Sequence, residues 1–571
     1  MLTCCTAIVA RGGGLKLKPA GLQSIVRLGK YSTKVLESPY GEIQVPDQTL
    51  SQFIWSRAQN WKDLPAVSCG VSGRSYTFEQ AQGMCDLGAR SLLSNTGLKP
   101  GERMALLLPN IPEYLVAVHA GLRAGLVITF ANPLYTVHEL TRQFQNCKAR
   151  CIVTIPQLLD AALQVAKGLD NYDCTICIGG KPDPGNKVLG LESLLGPSKE
   201  VDLPQVSSED VAVLPYSSGT TGVPKGVKLT HRSLVTNIVQ LSDPRLVANT
   251  DPLGPEPQKT VLTVLPFFHI YGFNTILNYL TYWGAHLISL PKFTPQDYLR
   301  CLAEYKPSVL FVVPSLLLFL ITHPEVKPEH LQSVKTVFCG AAPMTKTLID
   351  HFFQKIGRDD CCVSQGYGMT ETSPGITVTP HSMPHTKGGS CGQLLPSTKA
   401  RVIDLSTGSD VSGPQQPGEL IVKGPQLMNG YLDNEAATKE VIDTDGWLHT
   451  GDVVYYDEDE YFYIVDRTKE LIKVKGNQVS PTELESLILE IPGVADAAVI
   501  GIPDAVAGEL PKAFVVKKPG FDKITPDHVQ EFVTSKVAEY KKLAGGVSFI
   551  EAIPRNPSGK ILRNELKSLS S

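Results

Sequence analysis

The sequence has no long hydrophobic run and no marked excess of either charge. Its longest apolar stretch, Val309–Ile321, is interrupted by Pro314 and Ser315, whereas a membrane-spanning helix needs about 20 apolar residues. Lys and Arg total 53 against 56 for Asp and Glu, which gives a formal net charge of −3. We therefore expect no transmembrane segment and no surface dedicated to nucleic acid.

Features of secreted proteins are also lacking. No Asn-x-Ser/Thr sequon occurs, no long apolar signal segment opens the chain, and the thirteen cysteines are an odd number scattered over 571 residues. Disulfide-stabilised secreted domains show the opposite pattern, so the sequence predicts an intracellular protein with reduced thiols. Cys147, Cys151, Cys174 and Cys177 are interpreted as buried thiols rather than zinc ligands, because the last two lie in an apolar strand-like run.

The N-terminal segment is basic and contains no acidic residue. Residues 1–36 carry six Lys or Arg side chains, and the first acidic residue is Glu37. This composition is typical of a mitochondrial transit peptide, and a disordered basic tail is the alternative. The chain ends Leu569-Ser570-Ser571, without the Ser-Lys-Leu peroxisomal signal. We expect a mitochondrial protein, with a cytoplasmic location, or a peroxisomal one without that signal, as alternatives.

Apolar strands alternate with helical patterns through most of the chain. Arg103–Leu108 has the character of a buried strand, and a helix is predicted from Pro112 to Gly125. The same succession recurs from about residue 50 to residue 440. This order predicts an α/β fold with parallel-rich αβα sheets. Such sheets bind ligands beyond the carboxyl ends of their strands.

The pattern changes beyond about residue 395. Short β segments between Gly and Pro turns predict a small β-barrel-like part, and Tyr455–Val465 has the form of a hairpin with an acidic turn. A smaller α+β region follows, with helices predicted at Pro481–Leu489 and Pro526–Lys542. The predicted divisions of the chain are a tail (1–36), a large domain (45–466) and a small C-terminal domain (467–571).

The most specific local motif is LPYSSGTTGVPKG at residues 214–226. Its glycines let backbone amides approach a polyphosphate, while its hydroxyl groups and lysine add donors and charge. A Walker A loop counted from Gly219 would place its second glycine on Pro224 and its last hydroxyl on Gly226, which excludes that motif. The candidate phosphate-binding residues are Ser217, Ser218, Gly219, Thr220, Thr221 and Lys225.

Six further motifs follow this loop in order. They are LPFFHIYG (265–272), CGAAPM (339–344), QGYGMTE (365–371), HTGD (449–452), DRTKELIKVKGNQVSPTELE (466–485) and PRNPSGKILR (554–563). Together with the loop they resemble the signatures of the adenylate-forming superfamily, which includes acyl-CoA synthetases, 4-coumarate–CoA ligases, beetle luciferases and peptide-synthetase adenylation domains. The resemblance runs from about residue 45 to the C-terminus. The residues of the motifs are most similar to the 4-coumarate–CoA ligase and luciferase branch.

This resemblance implies an enzyme that uses ATP, Mg²⁺ and coenzyme A. A carboxylic acid would first form an acyl-adenylate, and the thiol of coenzyme A would then displace AMP. The acid stays open between aryl-propenoic and medium- or long-chain fatty acids, and the sequence predicts no oligomeric state. Alternatives are a luciferase-type oxygenase, an adenylation enzyme that loads a carrier protein, and a nucleotide-binding relic without activity.

The resemblance assigns the first half-reaction to several motifs. Lys560 is implied to reach the carboxylate and the α-phosphate, Thr370 to contact the α-phosphate, and Glu371 to hold Mg²⁺, a hard cation suited to carboxylate oxygen. Tyr367 is expected to stack on adenine and Asp452 to accept hydrogen bonds from the ribose hydroxyls. The other residues implied to bind ATP or AMP are Gly340, Ala341, Ala342, Gln365, Gly366, Arg467, Lys469 and Lys473.

The second half-reaction is assigned to another face of the small domain, which the resemblance implies is mobile. Lys473 is expected to act in the site after the domain rotates about a hinge near Lys469. The residues implied to contact coenzyme A are Lys292, Lys475 and Gly476. The residues implied to face the acyl group are Tyr271, Thr275 and His269, which would also gate the pocket or orient the carboxylate.

Overall fold

The computed structural model describes residues 34–570 apart from 192–194, 196–200, 218–223, 247–257, 382, 384–386, 476, 505 and 557–558. Lys34–Ser571 forms one compact unit. The basic N-terminal segment predicted to be a transit peptide or tail lies outside the described residues, except for its last three. In the described parts of the chain, no helix combines the length and the apolar character that crossing a membrane requires.

The larger part of the structure contains two sheets whose central strands run parallel, which confirms the α/β prediction. Each has antiparallel pairing only at its edges, because helices connect the central strands and cover both sheet faces. Across the seven-stranded sheet the strands are Leu229–Thr230, Val211–Leu214, Val127–Phe130, Arg103–Leu106, Ala149–Thr154, Cys174–Cys177 and Val188–Gly190. Across the nine-stranded sheet they are Gln393–Leu394, Gly375–Val378, Cys362–Gly368, Thr336–Cys339, Val309–Val312, Thr260–Thr263, His286–Ser289, Pro65–Cys69 and Ser75–Thr77.

The helices of this part begin at polar caps and bury one apolar face. Thr77 and Thr136 each form a capping box with the residue three positions later, which satisfies free amides of the first turn. Pro314 opens the helix that follows the apolar strand at Val309. The helices are Leu50–Trp55, Phe78–Asn95, Glu113–Arg123, Val137–Asn146, Leu159–Ala166, His231–Leu241, the π-helical Tyr271–Asn278, Tyr279–Tyr282, Pro295–Tyr305, Pro314–Thr322, Lys346–Ile356 and Glu435–Val441.

The four cysteines considered as zinc ligands are buried free thiols, as interpreted from the sequence. Cys151 and Cys174 lie opposite each other on neighbouring parallel strands. Their Sγ atoms are 3.7 Å apart. Their environment is apolar, and burial raises the pKa of Cys147 to about 12, so this thiol stays protonated at neutral pH.

The small β part is a five-stranded antiparallel sheet. The predicted hairpin is present, with Tyr455 paired to Tyr463 and their rings stacked at 4.8 Å. The two strands of this hairpin carry the HTGD motif and the start of the DRTKE motif, so the sheet brings two predicted site segments side by side. Its strands are Leu36–Glu37, Lys399–Ile403, Gly418–Lys423, Leu448–Tyr456 and Phe462–Arg467.

The C-terminal region has its own sheet and its own apolar core. The core side chains include Ile472, Val499, Val515 and Val529, and they form a cluster separate from the main core. A separate core is what an independent domain needs, and the boundary at 466/467 stays a prediction. The strands are Asn477–Val479, Ile472–Val474, Gly508–Lys517, Val494–Asp504 and Val547–Phe549, and the helices are Pro481–Leu489, Pro526–Thr534 and Arg563–Ser568.

The helix predicted at Pro526–Lys542 is shorter than expected, because it ends at Thr534. The Ser535 hydroxyl donates to the Phe532 carbonyl at 2.7 Å, and this side-chain bond competes with helix continuation. The backbone becomes extended at Ala538, before a short 3₁₀ turn at Glu539–Lys541. The sequence prediction merged two segments that a serine separates.

A buried carboxylate joins the antiparallel sheet to the C-terminal region. Asp466 Oδ2 accepts hydrogen bonds from the Ser480 hydroxyl at 2.7 Å and from the Thr482 amide at 3.1 Å. Ser480 in turn caps the helix Pro481–Leu489 by accepting from the Glu483 amide. Negative charge at a helix N-terminus is favourable, so Asp466 holds this helix against the strand Phe462–Arg467.

We expect Asp466→Ala to loosen this connection. Loss of the buried acceptor leaves the Thr482 amide without its partner, while the Ser480 hydroxyl keeps only the Val465 carbonyl at 3.0 Å. The free energy of unfolding should fall by about 1–3 kcal/mol. Limited proteolysis should cleave residues 467–471 faster than in the wild type. Asp404→Ala is the matched control, because that carboxylate also accepts several hydrogen bonds but within a surface turn. Cleavage of 467–471 at the wild-type rate in Asp466→Ala would contradict this role.

Candidate active site

The predicted phosphate loop begins and ends on a short antiparallel hairpin. Tyr216–Ser217 pairs with Lys225–Gly226, so that Ser217 lies opposite Lys225. The Ser217 hydroxyl is buried and has no hydrogen-bond partner among the residues that the structure describes, which fits a site for an anionic oxygen. Between them, Ser218, Gly219, Thr220 and Thr221 lie outside the described residues.

The buried carboxylate of Asp452 has partners from two other motifs. The Tyr367 hydroxyl donates to Asp452 Oδ2 at 2.7 Å, and Arg467 Nε lies 3.2 Å from Asp452 Oδ1. Burial raises the pKa of Asp452, while Arg467, Tyr367 and Lys560 act in the opposite direction. Both oxygens therefore already have donors, so ribose hydroxyls would have to share this carboxylate with Tyr367 and Arg467.

Lys560 lies in a segment of the C-terminal region that reaches the larger part. Its amide donates a hydrogen bond to the Asn556 side chain at 2.9 Å. Gly559 has a φ of +84°, and a Cβ on it would lie 3.3 Å from both Val313 and Ser315. Only glycine adopts this conformation readily at so close an approach.

Charged side chains from three other motifs act electrostatically on the partly buried Lys560. Burial and the positive charge of Arg467 lower the pKa of Lys560 to about 8, while Asp452 and Glu371 partly oppose that effect. The structure thus brings together residues that the sequence separates by almost 200 positions. A cation held here can stabilise negative charge that develops on a bound substrate.

Glu371 lies on a short 3₁₀ turn, Thr370–Thr372, which follows the strand Cys362–Gly368. Its side chain is 5% exposed, and Oε1 accepts a hydrogen bond from the Tyr431 hydroxyl at 2.9 Å. A hard carboxylate oxygen of this kind suits Mg²⁺. The cation Lys225 of the phosphate loop lies 5.0 Å from the centre of the ring of Tyr431, the same residue that donates to Glu371. The residues present therefore fit a magnesium–nucleotide complex.

The Gln365 carboxamide bonds to the protein backbone beside the segment predicted to bind the adenine of ATP. Its Oε1 accepts from the Met344 amide at 3.0 Å, and its Nε2 donates to the Ser390 carbonyl at 3.2 Å. These bonds hold the segment 340–344, which contains Gly340, Ala341 and Ala342. Gly366 packs against the Phe338 ring. Gln365 thus shapes the predicted adenine site through its neighbours.

The motif LPFFHIYG forms one wall of an apolar cleft. A Cβ on Gly272 would lie 2.0 Å from the Pro266 carbonyl oxygen, so this close approach requires glycine. His269 Nδ1 accepts from the Tyr271 amide at 3.3 Å. Burial, with a smaller effect of the Lys560 charge, lowers the pKa of His269 to about 4, so this ring is neutral at pH 7. The cleft is lined by Leu265, Pro266, His269, Tyr271, Gly272, Val313 and Ala341.

Some predicted site residues lie away from this centre. Thr275 is buried one turn beyond Tyr271 and is not among the residues that line the cleft. The lysines predicted for the second half-reaction and its hinge are exposed on the surface, and Gly476 lies outside the described residues. In this arrangement the face with Lys560 is therefore the one in the site. The exposed lysines are Lys292, Lys469, Lys473 and Lys475.

Three residues that the sequence analysis missed hold the site motifs in place. Asn110 follows a buried strand and bonds to the backbone of Thr263, Leu265 and Phe267. Glu419 accepts from the Gly451 amide at 3.2 Å and fixes the HTGD turn. Tyr431 contacts Glu371 from a separate segment. Only Asn110 had a local signal, since it is a polar residue close behind an apolar strand.

Fold and site together define an adenylate-forming enzyme. The AMP-binding enzyme family matches residues 54–432, and the AMP-binding enzyme C-terminal domain matches residues 483–560. This chain belongs to the AMP-binding enzyme family, and it is an AMP-forming acid–thiol ligase.

Relatives and solved structures agree with this assignment over nearly the whole chain. The chain is 38% identical to 4-coumarate–CoA ligase 2 of Oryza sativa subsp. japonica, over 94% of the chain and 95% of that protein. It is 37% identical to 4-coumarate–CoA ligase 3 of Arabidopsis thaliana, with 94% of each chain covered. ATP-bound MatB from Rhodopseudomonas palustris is similar with a TM-score of 0.81 at 28% identity, over 92% of this chain and 99% of MatB.

We expect adenylate formation to lose rate as the pH rises through about 8, the pKa of Lys560. Below that pH the lysine carries the charge that offsets the reacting anions, and above it the charge is lost. The measurement is kcat/KM for ATP, from pyrophosphate release between about pH 6 and about pH 10, since this quantity reports groups of the free enzyme. Lys560→Arg keeps the charge and should remove the decline near pH 8. A decline unchanged in Lys560→Arg would assign it to another group.

Proposed function

We propose that the protein is an ATP-dependent ligase that joins an apolar monocarboxylic acid to coenzyme A through an acyl-adenylate. The observation that carries this proposal is the position of Lys560. Gly559, the residue before it, packs closely against Val313, which lines the apolar cleft. The charge of Lys560 acts on His269 in that cleft and on Asp452. Nucleotide and acid would therefore meet at one cation.

The proposed first step brings anions together. A carboxylate oxygen attacks the α-phosphorus of ATP, and pyrophosphate leaves with the electron pair of the broken bond. Lys225, Arg467 and Lys560 supply positive charge around this point, and preorganised charge is a large source of rate enhancement in such reactions. When bound, Mg²⁺ would neutralise phosphate charge, and Glu371 is the residue that would hold it.

The proposed second step is thioester formation. The sulfur of coenzyme A attacks the acyl carbon, and AMP leaves with the bonding electrons. Lys473 is proposed to act here, while Lys292, Lys475 and Gly476 are proposed to contact coenzyme A. The exposure of Lys473 and Lys475 supports a rotation of the C-terminal region between the two steps, because in this arrangement both lysines are on the surface.

The walls of the cleft support an apolar acid. The Tyr271 hydroxyl donates to the Phe338 carbonyl at 3.2 Å, and its ring packs against Phe311 and Phe338. Among the described residues that line the cleft, the titratable ones are His269, which is neutral at pH 7, and Tyr271, whose pKa burial raises well above its usual value. A second carboxylate on the acid would be buried without a cationic partner, at a cost of several kcal/mol.

The experiment is pyrophosphate release from the purified chain with ATP, Mg²⁺ and a panel of acids, with and without coenzyme A. The panel contains aryl-propenoic acids, medium-chain and long-chain fatty acids, and dicarboxylic acids of matched length as controls. We expect release with the apolar monocarboxylic acids, an increase on adding coenzyme A, and an acyl-CoA product identified by mass spectrometry. The dicarboxylic acids should react at least about tenfold more slowly, since 1.4 kcal/mol is a factor of ten.

Other outcomes would overturn parts of the proposal. Release that coenzyme A does not change would indicate another acceptor, such as oxygen or a carrier thiol. Equal rates with mono- and dicarboxylic acids would refute the assignment of an apolar acid. No release with any acid of the panel would reject the proposed substrate class.

A further inference from the structure

The segment 428–432 connects the two halves of the phosphate site through its backbone. The Met428 amide donates to the Glu371 carbonyl at 2.8 Å. On the other side, the Leu432 amide donates to the Gly226 carbonyl at 2.8 Å, and Tyr431 forms a β-bridge with Val227. The segment therefore spans from the turn that carries Glu371 to the strand that leaves the phosphate loop.

The Tyr431 side chain lies between the two charged groups of this site. Its hydroxyl donates to Glu371 Oε1 at 2.9 Å, and Lys225 Nζ lies 5.0 Å from the centre of its ring. Tyr431 is 7% exposed, and its own amide is held by the Thr438 hydroxyl at 2.9 Å. Both the backbone and the side chain of Tyr431 are thus fixed.

We propose that Tyr431 is a positioning residue that keeps the cation Lys225 and the carboxylate Glu371 apart and oriented for a magnesium–nucleotide complex. This inference rests on the proposed function, because it assigns separate tasks to the two charged groups. Lys225 would meet phosphate oxygens, and Glu371 would meet the metal. Tyr431 itself touches neither the nucleotide nor the metal in this account.

The physical reason is the attraction between the two groups. A lysine and a glutamate at one site lower their energy by pairing directly, and a direct pair would occupy the groups that the ligands need. Among the described residues, no ion pair joins Lys225 to Glu371. The ring of Tyr431 attracts the ammonium group through its π-face, while the hydroxyl engages only one of the two carboxylate oxygens.

Two variants separate these two contacts. Tyr431→Phe keeps the ring beside Lys225 and removes the hydrogen bond to Glu371, while Tyr431→Leu removes both. Tyr76→Phe is the matched control. Tyr76 donates a similar hydrogen bond of 2.8 Å to the buried Glu113, and neither residue belongs to one of the site motifs. The variants are compared in the full chain, and thermal unfolding measures how far each is destabilised.

The readouts are equilibrium binding measurements that need no turnover. Calorimetry with EDTA present measures metal-free binding of α,β-methylene-ATP, a non-reacting analogue. Electron paramagnetic resonance measures Mn²⁺ binding to the protein–analogue complex. Tyr431→Phe should weaken Mn²⁺ binding by roughly tenfold, the size expected for a hydrogen bond to a charged group, and leave metal-free nucleotide binding within about twofold. Tyr431→Leu should weaken both, and Tyr76→Phe neither.

The opposite patterns would overturn the proposal. Wild-type metal affinity in Tyr431→Phe would show that the hydrogen bond to Glu371 has no positioning role. Parallel losses of both affinities in Tyr431→Phe, in proportion to lost thermal stability, would indicate a structural role only. Because these measurements involve no acid and no coenzyme A, they can fail while acid-dependent pyrophosphate release succeeds, and the converse also holds.

Discussion

The electrostatic interaction of Lys560 with nearby carboxylates is the one on which the arrangement of this site depends. Lys560 belongs to the C-terminal region, whereas two charges that stabilise its protonated form, Asp452 and Glu371, belong to the larger part. A lysine moved out of water loses its proton readily unless anions stay close. The charge state of the site and the docking of the C-terminal region are therefore linked. Bound nucleotide phosphates would add anions and favour the docked arrangement further.

The topology of the sheets determines where the site residues come together. Parallel strands deliver their carboxyl ends to one edge, which carries the segments around Gly340, Gln365 and Val313. The antiparallel hairpin adds Asp452 and Arg467 on neighbouring strands. Backbone and side-chain bonds from Gln365 and Asp466 then fix loops that carry the chemistry. The site is thus assembled from strand ends of the larger part, while the C-terminal region contributes Lys560.

Much of this could be predicted from the sequence, and the failures have physical causes. Strands such as Arg103–Leu106 and the helix Pro481–Leu489 were predictable because their apolar periodicity and proline caps are local. The end of the helix at Thr534 was not, because no proline or glycine between Ser535 and Lys542 marks it. Site residues were predictable as residue types in motifs. The contact between Tyr431 and Glu371 was not, because it joins residues 60 positions apart.

The most direct test of the central claim separates the two half-reactions in Lys560→Ala. Pyrophosphate release reports the first, and thioester formation from a synthetic acyl-adenylate with coenzyme A reports the second. The account predicts a loss of at least about 100-fold in the first, the size expected for removing one preorganised charge, and a change within roughly twofold in the second. Equal losses in both half-reactions, or an unchanged first one, would contradict the assignment of Lys560 to adenylate formation.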